Sequence, residues 1–370
     1  MGLLRLYLAL AVLNVHYTFW DDQYFPFAFP AVCAFFVISG FYMSVVLSGK
    51  YGGKIAVFYV NRILRIYPIC FVVLALTVAG DYSGILVDVP GINAIHNHFT
   101  GVPMPLSDRL TAMLNSAAMF PGVLWRAVFG FPPNLSTLTV VAPQLYTVGI
   151  ELCFYAVAPF LLLQKGWRLF AVVLIAVVCH FAPLFLGAPE RPYQYEYLPA
   201  VMVFFMLGRI SFALLLRIER WRYPRWTGWL FLAAIVAYAH SFWTPLVQHI
   251  SNTPETLGFY ALVCVATPFL FLASRTSKID RLIGDLSYPV YACQFMVIAF
   301  ANGLTASAVS TRHTLALVVI LSLSVVLVVT IDYPIDRLRQ RIAKRARTSS
   351  ERPVSHDART CSTPADTVAF

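Results

Sequence analysis

Ten apolar runs, most of them near the length that crosses the hydrocarbon core of a bilayer, recur along this chain of 370 residues. They fall at 3–20, 27–47, 66–80, 144–163, 169–187, 197–215, 227–243, 257–273, 284–303 and 314–331. The third is short. Hydrophobic residues make up 59% of the sequence and charged residues 12%, with a mean hydropathy of +0.72, values that exclude a soluble domain. The pattern predicts an all-α, polytopic membrane protein of about ten transmembrane helices.

Basic residues alternate between the connections. Lys50, Lys54, Arg62 and Arg65 fall between runs two and three, and Lys165 and Arg168 between four and five. Arg217, Arg220, Arg222 and Arg225 follow run six; Arg275, Lys278 and Arg281 follow run eight. The opposite connections hold only Arg109, Arg126, Arg191 and Arg312, and the first carries Asp21 and Asp22. The positive-inside rule then places both termini in the cytoplasm. The net charge of +10 is therefore a topology signal and not a nucleic-acid one, and the bilayer is the first partner.

Residues 1–336 read as one membrane domain. The tail, 337–370, is basic (Arg337, Arg339, Arg341, Lys344, Arg345, Arg347) and then rich in Ser, Thr and Pro, a composition that predicts disorder. The long connection 81–143 holds weakly apolar pieces compatible with an interfacial or re-entrant helix. No small-residue cleavage site precedes Asp21, so the first run reads as a retained anchor. Six of seven cysteines lie in apolar stretches and no CxxC occurs, so neither a disulfide framework nor a zinc site is suggested. His96 and His98 alone are half a metal site, and no metal is expected.

Ionisable residues inside the runs carry the functional signal, because they are expensive there. Arg5 and His16 are eleven positions apart, which is ~1,100° on an α-helix; the two side chains share one face within about 20° and lie ~16 Å apart along the axis. A structural histidine and a snorkelling arginine are the competing account. Ser39-Gly40 in run two lets a helix or a ligand approach the backbone. Arg62 and Arg65 share a helical face at the cytoplasmic surface and serve either as topology determinants or as a phosphate clamp. Glu151 is a carboxylate in the body of run four, either a salt-bridge partner, for example of Arg5, or the group that orients a histidine base.

Six motifs occur in order: Arg-x10-His, Phe-Phe-x-x-Ser-Gly-Phe (35–41), Arg-x-x-Arg-x-x-Pro (62–68), Glu-x-x-Phe-Tyr (151–155), Phe-Phe-x-Leu-Gly (204–208) and Gly-x-x-Ser-Tyr-x-x-Tyr (284–291). With them the chain resembles the acyltransferase-3 family of integral membrane O-acyltransferases from Leu3 to about Arg339. The resemblance implies transfer of an acyl group, usually acetyl from acetyl-CoA, to a hydroxyl of a glycan or small molecule at the inner (plasma) membrane. It implies catalytic roles for His16 and Glu151, donor binding by Arg5, Ser39, Gly40, Arg62 and Arg65, and supporting roles for Tyr155, Ser287 and Tyr288. No cofactor is bound permanently; acetyl-CoA is a donor substrate. The chain departs from the family pattern at Tyr146 (commonly Trp), Gln294 (often His) and Asp332 (often Glu). A transporter or flippase also needs charges near the midplane, but no inverted repeat or matching pair of broken spans is found.

Overall fold

The computed structural model describes residues 1–17, 28–50, 55–87, 142–188, 193–194, 197–221, 223–241, 252–304 and 309–348. The described residues form helices and no strand. They are α1 (Gly2–His16), α2 (Ala28–Val45, extended by a π turn, Val46–Lys50), α3 (Ile55–Tyr82), α4 (Tyr146–Leu162), α5 (Gly166–Phe185), α6 (Leu198–Ile218), α7 (Trp226–Ser241), α8 (Pro254–Ser274), α9 (Lys278–Asn302), α10 (Val309–Leu327, extended by a π turn, Val328–Asp332) and α11 (Tyr333–Thr348).

Seven of these stretches are long and apolar enough to cross a membrane: α2, α3, α5, α6, α8, α9 and the continuous 311–345. Three more, α1, α4 and α7, are apolar but shorter. Large side chains such as Trp167, Phe170, Ile175 and Phe185 on α5 are exposed, as a lipid-facing helix requires. Interior prolines (Pro68, Pro159, Pro183, Pro268, Pro289) sit within helices, as membrane helices permit.

Two glycine crossings set the packing. α2 and α6 approach so closely that a Cβ on Gly40 would clash with the Phe205 carbonyl oxygen, and one on Gly208 with that of Val37. Only glycine fits either position, the small-residue logic of helix association in lipid. Around this crossing Phe205 stacks between Phe36 and Phe154, at 4.7 and 3.8 Å. α1 and α9 make the second crossing, where the space beside Gly2 is filled by the backbone at Asp280 and Gly284. The Asp280 carboxylate accepts the Gly2 and Leu3 amide N–H groups at 2.8 and 3.0 Å, so a residue of α9 satisfies the open end of α1. Farther along, His16 meets Phe295, so the two helices run side by side in one direction. At the end of α4, Arg209 Nε donates to the Leu162 carbonyl at 2.9 Å, a cation on a helix C-terminus.

Two boundaries differ from the sequence-based expectation. α3 begins at Ile55, well before residue 66, so Arg62 and Arg65 lie within the helix and not in a connection. The basic tail expected to be disordered from 337 is helical to Thr348. Its buried positions Arg339 and Ala343, with the partly buried Ile335 and Ile342, recur at helical spacing, and this stripe packs on α3. Disorder was inferred from composition, which carries no periodicity. Residues 349–370, most of the connection 81–143, His96 and His98 lie outside the described residues.

Candidate active site

Glu151 and Tyr155 are one turn apart on α4 and so share a face. The Tyr155 hydroxyl donates to Glu151 Oε1. The Ser39 hydroxyl of α2 donates to the same oxygen at 2.5 Å and lies 3.4 Å from the Tyr155 hydroxyl. Glu151 Oε1 thus takes two O–H donors from two helices, and bonds to an ionised acceptor are the short, strong kind.

Arginines surround this carboxylate. The Arg62 guanidinium lies over the Phe58 and Tyr155 rings, at 5.9 and 5.8 Å from their centroids. Arg62 is only 8% exposed, and its Nε is buried without a hydrogen-bond partner among the described residues. Arg65, one turn on, is within electrostatic reach of Asp332, Asp285, Tyr155 and Glu151. Arg5 feels Arg65, Tyr42, Asp285 and Glu151. Five helices therefore bring Arg5, Tyr42, Arg62, Arg65, Glu151 and Asp285 to one region. Neighbouring positive charges of this density are held by the carboxylates and by the aromatic faces beneath them.

His16 occupies a different place. It is exposed at the far end of α1, its ring 4.7 Å from that of Phe295, ~16 Å of helix away from Arg5. The pairing of Glu151 with His16 expected from sequence is not formed among the described residues: the hydrogen bonds of Glu151 go to Ser39 and Tyr155. Gln294, the residue before Phe295 on α9, is fully buried, and neither amide atom has a hydrogen-bond partner among the described residues. A buried unpaired amide costs about 1–3 kcal/mol.

The remaining expected residues divide. Gly40 faces the α6 backbone, and its missing side chain is accounted for by helix packing. Ser287 Oγ donates to the Gly284 carbonyl within its own helix at 2.6 Å. The Tyr288 hydroxyl donates to the Ile66 carbonyl at 2.9 Å, tying α9 to the arginine-bearing turn of α3. Sequence reasoning overlooked Tyr42 and Arg339. Tyr42 could have been found from its position one turn past Ser39, and Arg339 from the periodicity of Ile335, Ile342 and Ala343.

A family model described as an acyltransferase domain matches residues 1–331. No curated protein and no solved structure matches the chain.

Proposed function

The chain belongs to the acyltransferase-3 family, and from that premise we propose that this multi-pass membrane protein is an O-acetyltransferase, moving acetyl from acetyl-CoA to a hydroxyl of a glycan or similar exported acceptor. The observation that carries the reading is the arginine cluster around Glu151, at one end of α1, with a histidine at the other end of the same helix.

Arg62 and Arg65 hold the donor's phosphates, for which guanidinium forks are suited. Glu151 fixes Tyr155, on whose ring Arg62 rests, and offsets part of the local positive charge; its role is positioning. The thioester end of the donor extends toward His16. There the imidazole takes the proton of the acceptor hydroxyl as its oxygen attacks the thioester carbonyl. The C–S bond breaks, the acyl–oxygen ester forms, and the imidazolium returns its proton to the CoA thiolate. In this arrangement ten helices cross the inner membrane and both termini are cytoplasmic, so the arginine end faces the acetyl-CoA pool. The transporter alternative has no support from the family or the fold.

The test is acetyl transfer from labelled acetyl-CoA in inside-out vesicles. His16→Ala should lose ~10²–10⁴ of the rate, the typical worth of a general base. It should melt like the wild type, because His16 is exposed. Near-full activity in a normally accumulated variant would remove His16 as the base.

A further inference from the structure

Arg339 of α11 is brought against the arginine pair of α3. It is 6% exposed, and both Arg65 and Arg62 act on it electrostatically. Its Nη1 pairs with Asp336 at 3.1 Å, one turn back on its own helix, while its Nε is buried without a hydrogen-bond partner among the described residues. Two of the three arginines, Arg62 and Arg339, therefore have a buried guanidinium N–H that no group among the described residues accepts. Burying like charges together with unused donors is unfavourable unless an anion joins them. The chemistry called for is phosphate, whose oxygens take several guanidinium N–H groups at once.

We propose that Arg339 is a specificity-determining residue of the donor site and grips the 3′-phosphate of the acyl-CoA ribose, while Arg62 and Arg65 hold the pyrophosphate. This rests on the acyl-CoA reading given above. The thioester must reach toward His16, so the nucleotide lies at the opposite end of the donor. α11 follows the last apolar run and packs on α3, so Arg339 comes to the arginine pair from a separate helix, while Arg62 and Arg65 both belong to α3. The 3′-phosphate is also the one phosphate that can be removed while the thioester and pyrophosphate stay in place.

The experiment uses the purified full-length protein in detergent and compares CoA with 3′-dephospho-CoA by ligand-induced thermal stabilisation. The wild type should prefer CoA by about tenfold, the worth of one good charge-assisted contact. Arg339→Gln should bring that ratio to within about twofold, and Arg339→Lys, which keeps the charge and loses the fork, should fall between. An unchanged ratio, or equal weakening toward both ligands, would overturn the assignment. Should Arg339→Gln fail to fold, the Arg339→Lys ratio decides alone, and a wild-type value there is equally fatal. A parallel arm adds vesicles of phosphatidylglycerol or phosphatidylcholine: dependence on Arg339 for stabilisation by the anionic lipid, and not by CoA, would assign the phosphate to a headgroup and refute the proposal. If neither nucleotide stabilises the wild type, the acyl-CoA reading itself falls.

Discussion

Replacing Glu151 by Gln keeps the shape of the side chain and removes its charge. In the structure Oε1 accepts two hydroxyl protons, from Ser39 and Tyr155, and sits among Arg5, Arg62 and Arg65. A bond to a charged acceptor contributes about 1.5–3 kcal/mol and a neutral one about 0.5–1.5, so each of the two weakens by about 1 kcal/mol. The amide adds an N–H2 in a region already rich in donors. The expected loss is about 2–3 kcal/mol, a large share of a marginal stability. Tyr155→Phe should cost about 1.5–3 kcal/mol alone, and in combination with Glu151→Gln less than the sum, with a coupling of about 1 kcal/mol. Denaturant titration in mixed micelles of the wild type, the two single variants and the double variant measures all four corners. A Glu151→Gln protein within about 0.5 kcal/mol of wild type, or additive effects, would refute a shared carboxylate.

The glycine crossing predicts a sharp contrast. Gly208→Leu forces α2 and α6 apart and should cost at least about 1–3 kcal/mol and most of the folded yield, whereas Gly49→Ala, where a Cβ meets nothing within 4 Å, should melt like wild type. The double Arg62→Lys, Arg65→Lys variant keeps the charge but loses the planar forks, so it should insert normally and lose about 1–3 kcal/mol of donor binding; an unchanged acetyl-CoA half-saturation concentration would remove the pair from the donor site. Reporter fusions after Lys165 and after Arg225 should both give cytoplasmic signals, and an external signal at either would break the proposed topology.

The class of fold was legible because it depends on quantities that run along the chain. Run length against bilayer thickness and the alternation of basic connections suffice to predict a helical membrane protein. The order of six short motifs from Arg5 to Tyr291 sufficed to identify the family. The partners of Glu151 were not legible. Its neighbour Tyr155 is one helical turn away and visible as a pattern, but Ser39 is on another helix far back in the sequence, and only the α2–α4 packing brings its hydroxyl to the carboxylate. His16 shares a stripe with Arg5, yet which helix turns a carboxylate toward either end depends on interhelical packing that no periodicity encodes. Gly40 shows the same limit: Ser-Gly in an apolar run permits a close ligand or a close helix, and the Phe205 carbonyl filling its Cβ position is a fact of the α2–α6 crossing alone. Arg339 looked like one more charge in a basic tail, because composition reports solvation and not which side of a helix is covered. Its burial against α3 was decided by tertiary contact, where the apolar stripe of α11 found a surface and carried a cation in with it.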